Sequence, residues 1–287
     1  MRPLRVGLST CPNDTFLFHA LLTGAVRPRG LALEFELADV ERLNERMLAG
    51  ELDLAKTSYH AMLALGERVT VLPCGSALGF GVGPLLLAAP GRATGLPLPS
   101  GARVLAPGRW TTAALLFRLL HPPLPLEQVV FSDILPRLAA GTADYGVCIH
   151  EARFTWREHG TALVADLGEL WEGATGSALP LGGLCARREL GPDTLAALTA
   201  AVRASLEWGL AHREACLESM RAHAQEQADA VLWAHVDLYV NEWTLELGGV
   251  GRAALRALAR VARQRGLLPA DAPDLVVAGA SAGRESQ

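Results

Sequence analysis

The chain has 287 residues, half of them hydrophobic and a fifth charged, with 26 Lys and Arg against 30 Asp and Glu for a net charge of −4. This is enough apolar material for one large domain or two modest ones, and without a basic stripe nucleic acid is excluded as a natural partner. No apolar run approaches the roughly 20 residues that span a bilayer, and the opening MRPLRVGLST lacks the apolar region and cleavage signal of a leader peptide, so a cytoplasmic chain with no membrane association is expected.

The five cysteines, Cys11, Cys74, Cys148, Cys185 and Cys216, are odd in number, widely spaced and never in a CxxC pair. That pattern disfavours a disulfide scaffold and a zinc site, and the sequence predicts no bound metal. Cys148 and Cys185 lie in apolar runs and read as small core residues. Cys11 precedes a helix start, a place that favours a thiolate, but no positive charge lies beside it in sequence, so a non-catalytic role is expected.

In chain order, Arg5–Ser9 predicts a buried strand, followed by the loop TCPNDT and an apolar helix ending at Gly24. Asn13 or Asp14 could cap that helix, and the backbone N–H groups there could receive an anion. Leu31–Leu37 alternates as a second strand, and a short helix follows Asp39. Leu52–Ala55 is a third strand ending in Lys56, Thr57 and Ser58; a lysine and two hydroxyls at a strand tip could hold a carboxylate, although Ser58 could equally cap the next helix. Val69–Leu72 is a fourth strand. The glycine-rich GSALGFGVGP after it is neither a P-loop nor a dinucleotide fingerprint, and leads to PLLLAA.

Pro90–Ser100, rich in Gly and Pro, predicts a domain boundary. A second α/β pattern follows. Arg103–Ala106 is a strand tipped by PGRWTT, and Thr111 and Thr112 stand at a helix start where hydroxyls and N–H groups could hold a carboxylate; a cap needs only one of them. Gln128–Phe131 is a strand and Asp133–Ala140 a helix. In ADYGVCIHEARFT, Tyr145–Ile149 is a strand that stops at His150 and Glu151. Polar residues at the carboxyl end of a buried strand are placed to face a crevice. His150 could exchange a proton there near neutral pH or could simply bond backbone at a helix start. Thr161–Asp166 is another strand, Leu167–Gly176 with Trp171 and Glu172 reads as a lid or cleft rim, and Leu179–Ala186 is an extended return. From Pro192 the pattern is helical, with Trp208, Trp233, Trp243 and His235 assigned to packing. Arg252–Arg265 is a basic amphipathic helix, and the tail after Gly279 reads as disordered.

Two α/β halves joined twice predict a two-lobed, periplasmic-binding-protein-like (type II) fold with a ligand cleft between the lobes. The expected division is 1–89 plus 187–287 as the larger lobe and 90–186 as the smaller, with hinge crossings near 84–89 and 179–186. A small-molecule carboxylate is the expected ligand, and a homodimer is entertained as the assembly. Such a clasp suits a cytoplasmic enzyme, a non-catalytic sensor or binding protein, or a secreted transporter subunit; the leader reading disfavours the last.

The motifs STCPNDTFLFHAL, KTSY, GRWTTA, GVCIHEARFT, DLGELWE…TG…LPLGG and WAHVDLYVNEW, taken in order, resemble the 1,4-dihydroxy-6-naphthoate synthases of the futalosine route to menaquinone. The resemblance runs from about Arg5 to Trp243. It implies the two-lobed fold and a lyase acting on cyclic dehypoxanthine futalosine, with release of a small sugar-derived fragment and no metal or organic cofactor. It also implies His150 as general base, with Lys56, Thr57, Ser58, Thr111 and Thr112 holding ligand. Chorismate dehydratase of the same pathway shares the fold, but is not expected to carry the IHEARFT signature.

Overall fold

The chain repeatedly runs from an apolar strand through a polar tip into a helix, and the computed structural model, which describes residues 2–121, 124–225 and 228–279, shows how those units assemble. β1 (Leu4–Ser9) leads into α1 (Pro12–Leu22), β2 (Leu33–Ala38) into α2 (Val40–Leu48), and β3 (Leu54–Ser58) into α3 (Tyr59–Leu65). β4 (Val69–Val71) and β5 (Ala77–Gly79) follow. The chain then builds a second sheet from β6 (Leu85–Ala88), β7 (Val104–Ala106), α4 (Thr112–Leu120), β8 (Leu126–Gln128), α5 (Phe131–Ala139), β9 (Tyr145–Cys148), α6 (Ala152–Thr155) and β10 (Ala162–Asp166). After α7 (Leu167–Thr175), β11 (Leu179–Arg187) returns to the first sheet. Helices α8 (Gly191–Ala211), α9 (Leu217–His223), α10 (Asp229–Tyr239), α11 (Glu242–Leu245) and α12 (Gly248–Gln264) complete the fold.

The first sheet has the order β2-β1-β3-β11-β4, with β5 also on β11. Its β2, β1 and β3 are parallel, and β11 runs against β3, β4 and β5. The second has the order β10-β6-β9-β7-β8; β7 is parallel to β8 and β9, while β6 is antiparallel to β9 and β10. Parallel strands leave their carboxyl ends together, so the polar tips of β1, β3 and β9 become the chemical end of each sheet.

Two expected boundaries and one expected element change. Leu85–Ala88, expected on the first lobe's side of residue 89, is hydrogen-bonded between β9 and β10 in the second sheet. Leu179–Ala186, expected in the smaller lobe, is a strand in the middle of the first sheet. Both are apolar runs, and such a run does not encode which strand it will pair with. Leu167–Gly176 is a packed helix and not a lid: Asp166 caps it through the N–H groups of Gly168 and Glu169, and Trp171 is buried.

The connections between the sheets are tight. A Cβ on Gly83 would lie 2.3 Å from the backbone N and Cα of Gly168, so the two chain crossings touch backbone to backbone. One apolar cluster runs through both sheets, joining Leu43, Tyr59 and Val71 to Leu86, Val104 and Phe117. A second packs α1, α8, α9 and α10 on the first sheet through Phe16, Leu198, Leu206 and Val236. α12 buries its Ala and Leu stripe, including Ala254, Leu255 and Leu258, which accounts for its amphipathic pattern by packing. Among the described residues no helix is long and apolar enough to cross a membrane, and the tail beyond Gly279 lies outside them.

Candidate active site

The strand tips converge on one cavity of about 80 Å³ between the two sheets. From the first sheet it is walled by Asn13 and Asp14 at the start of α1 and by Lys56, Thr57 and Ser58 at the end of β3. From the second come Thr111 and Thr112 at the start of α4 and His150 beyond β9. All eight residues nominated from sequence therefore line one cavity, although they come from segments far apart in the chain.

His150 is held by an unusual backbone. Its φ is 57°, in the left-handed region that residues other than glycine seldom occupy. The ring lies edge-on to Phe131 with centroids 4.9 Å apart. The Cys11 Sγ is 3.1 Å from its Nδ1 and 3.4 Å from its Nε2. Desolvation lowers the His150 pKa to about 4, opposed by the nearby Asp14 charge and reinforced by Lys56. Desolvation, with the charges of Glu151 and Asp14, raises the Cys11 thiol well above its usual range. The pair is accordingly a neutral thiol beside a neutral imidazole at pH 7, unlike the thiolate–imidazolium pair of a cysteine nucleophile. A neutral imidazole can accept a proton; a thiol so disposed can only orient it.

Lys56 does not present an open cation. Its Nζ is 2.5 Å from Asp14 Oδ1, with both side chains almost fully buried, and it also donates to the Gly75 carbonyl at 3.1 Å. Asp14 further accepts from Ser9 Oγ at 2.6 Å and from Asn13 Nδ2 at 2.9 Å. The expectation that Asn13 or Asp14 caps α1 is corrected: the helix begins at Pro12, and Cys11 is the capping position without a side-chain bond. Both residues lie inside the first turn, where Asp14 is free to pair with Lys56.

The hydroxyls are also engaged. Thr57 Oγ1 is 3.3 Å from Cys185 Sγ. Ser58 occupies the cap position of α3 without a side-chain cap bond; its Oγ accepts from Asn44 Nδ2 at 3.2 Å, and its N–H donates to Asn44 Oδ1 at 2.9 Å. Thr111 is the cap of α4, accepting from the Ala114 N–H at 3.2 Å. Thr112 donates to the Leu181 carbonyl at 2.6 Å and so ties α4 to β11 of the other sheet. A second tie is Glu41, whose carboxylate accepts the Trp110 N–H at 2.9 Å and 3.1 Å.

The cavity wall also includes a histidine assigned elsewhere from sequence. His235, assigned to packing, is 1% exposed and lines the cavity from α10, one turn from Tyr239. Neither of its ring nitrogens has a hydrogen-bond partner. Its ring centroid is 6.2 Å from that of His150, with the planes at 31°. In the sequence its helical spacing is that of any core residue, and only its polarity within WAHVDLYV sets it apart. Among the described residues no cluster of three or more His, Cys, Asp or Glu could hold a metal ion.

Comparison with known proteins follows the geometry. A family model described as menaquinone biosynthesis matches residues 4–264. A 1,4-dihydroxy-6-naphthoate synthase from Thermus thermophilus is 46% identical over 267 residues, covering 93% of this chain and 96% of that protein. Another from Streptomyces coelicolor is 43% identical over 277 residues, covering 94% and 96%. Among solved structures, an Archaeoglobus fulgidus protein superposes with a TM-score of 0.85 at 28% identity, over 93% of this chain and 98% of that one. The periplasmic aliphatic sulphonate binding protein SsuA from Escherichia coli gives 0.61 at 14% identity, over 100% and 97%, and shares the two-lobed α/β fold. That likeness overturns the expectation of a cytoplasmic chain: periplasmic proteins carry the same fold, and the reading of the first ten residues does not decide a compartment. With its family model spanning 4–264 and relatives above 40% identity over more than nine-tenths of its length, the chain belongs to the menaquinone biosynthesis family.

Proposed function

We propose that the chain is a carbon–carbon lyase that forms 1,4-dihydroxy-6-naphthoate from cyclic dehypoxanthine futalosine, with His150 as the general base. The observation that carries this reading is the neutral imidazole at the end of β9, facing a cavity that both sheets wall. A base must be unprotonated when substrate arrives, and desolvation secures that state at neutral pH. His150 takes the proton next to the substrate carbonyl. The electron pair moves onto that carbonyl, the sugar-derived C–C and C–O bonds break, and aromatisation of the second ring drives the reaction. The substrate's own carbonyl is the electron sink, so no metal or organic cofactor is drawn on.

On this reading the substrate carboxylate rests on the first-turn N–H groups of α4 and the hydroxyl of Ser58, which accepts from Asn44 and keeps its own hydrogen to donate. Lys56 acts through Asp14, holding the start of α1 in place. A cavity of about 80 Å³ is small beside the several hundred Å³ usual for a ligand site. The sheets therefore act as two lobes that part to admit substrate and close to exclude water, with Glu41–Trp110 and Thr112–Leu181 as the contacts that break and re-form.

The test is a purified-protein assay on cyclic dehypoxanthine futalosine with EDTA present, following 1,4-dihydroxy-6-naphthoate by liquid chromatography and mass. Product is expected, and His150→Ala is expected to fold normally and lose roughly a hundredfold or more in kcat. Normal turnover in that variant removes His150 as base. Conversion of chorismate instead makes the chain a chorismate dehydratase, and a carboxylate that raises Tm without turnover makes it a binding protein.

A further inference from the structure

We propose that His235 is a second catalytic residue, whose ring N–H donates to the substrate carbonyl oxygen beside the C–H bond that His150 breaks. This rests on the reading above and adds to it the group that stabilises the charge His150 creates.

Three observations carry it. First, His235 is 1% exposed with both ring nitrogens unpartnered, whereas buried polar groups nearly always find a hydrogen-bond partner. Its ring neighbours do not supply one here: Tyr239 and Phe154 meet it as rings, at centroid distances of 4.6 Å and 6.2 Å, and the Tyr239 hydroxyl donates to the Val82 carbonyl at 3.4 Å. Second, the residue lines the same cavity as His150; its nitrogens are sealed from solvent in this structure, and they meet a bound molecule as the lobes part and re-close around it. Third, the two imidazoles are 6.2 Å apart between centroids and share no hydrogen bond, so neither ring satisfies the other.

The chemistry balances without another reactant. The proton passes from substrate carbon to His150, the C–H pair forms the enolate double bond, and the carbonyl electrons move to oxygen. The His235 N–H shares its hydrogen with that oxygen and none of its bonds breaks. Burial keeps the His235 imidazole far below its usual pKa, with the His150 and Lys56 charges acting in the same direction. The donor is therefore uncharged, a form of imidazole suited to polarising a carbonyl.

The experiment compares wild type, His150→Ala, His235→Leu and His235→Gln on cyclic dehypoxanthine futalosine, with Tm measured for each. His235→Leu should hold or raise Tm, because an unpartnered polar group is replaced by an apolar one. Its kcat/KM should fall about a hundredfold, the scale of losing one oxyanion donor, mostly in kcat. His235→Gln, which keeps a side-chain N–H, should recover part of that loss. Wild-type kcat/KM in a folded His235→Leu overturns the proposal. Should His235→Leu fail to fold, wild-type protein with ¹⁵N-labelled histidine is titrated with 1,4-dihydroxy-6-naphthoate: movement of the His235 ring signals supports contact, and unmoved signals while those of His150 shift overturn it. No product from wild type defeats the functional reading itself, and the His235 assignment with it, an outcome distinct from any variant's behaviour.

Discussion

Replacing Lys56 by Met tests the claim that its ammonium serves Asp14 before it serves any ligand. The two charges are 2.5 Å apart, and the side chains are only 7% and 3% exposed. After the substitution Asp14 keeps two neutral donors, Ser9 and Asn13, but its charge is buried without a counter-ion. Breaking a buried pair in this way costs about 3–5 kcal/mol. An unfolding entropy of ~2.1 cal/mol/K per residue gives ~0.6 kcal/mol/K for a chain of this length, so ~4 kcal/mol lowers Tm by ~7 °C. Adding Asp14→Asn to Lys56→Met should recover part of the loss, since the double variant has no stranded charge, with coupling of about 0.5–3 kcal/mol. Thermal denaturation of the three variants measures this. A Lys56→Met loss below about 1 kcal/mol, the scale of an exposed pair, would refute the reasoning.

Three further outcomes are expected. kcat/KM reports the ionisation of the free enzyme, so with His150 at about 4 it should stay level as pH falls from 8 and drop only toward pH 4, where protonation removes the base; an acid limb at the ordinary histidine value of about 6.5 contradicts this. Stability follows the same sign through His60, which burial lowers to about 4: between 6.5 and that value the unfolded chain binds the extra proton, so stability present above pH 6.5 is lost as pH falls, and His60→Phe should flatten the urea-measured profile by up to ~1.4 kcal/mol per pH unit. Gly83→Ala should cost about 1–3 kcal/mol by thermal denaturation, because its Cβ meets the Gly168 backbone, whereas Gly95→Ala, with no atom within 4 Å, should be neutral or slightly stabilising.

Much of the site was legible because its residues break a local pattern. His150 ends an apolar strand, Lys56–Ser58 end another, and Thr111 and Thr112 open a helix; each placement follows from strand and helix periodicity, and parallel pairing brings the tips together. What the sequence does not encode locally is partnership. Lys56 offered a free cation on paper, and only the folded chain brings Asp14 to it. The segment Leu179–Arg187 is extended as expected, yet its place between β3 and β4 depends on long-range pairing that an apolar run leaves open. β5 went unassigned because it lies in a glycine-rich stretch with little strand propensity, and its order comes from β11 alongside it. His235 was hidden for the opposite reason: it fits its helix so well that nothing local distinguishes a cavity wall from a core. Cys11 had no cation beside it in sequence, which correctly argued against a thiolate, but the same test could not foresee an imidazole arriving from the other sheet.

The left-handed backbone of His150 sets this position against the rest of the fold. An L-residue there gives up about 1 kcal/mol that glycine would not. Random variants selected only for survival of heating would therefore drift toward glycine or asparagine at 150, and the resulting proteins would melt later while losing the imidazole. With His150 in the role proposed above, selection by growth that depends on quinone supply would hold the histidine in place. The two regimes pull one codon in opposite directions, which makes position 150 a gauge of whether a laboratory lineage has been kept for durability or for chemistry.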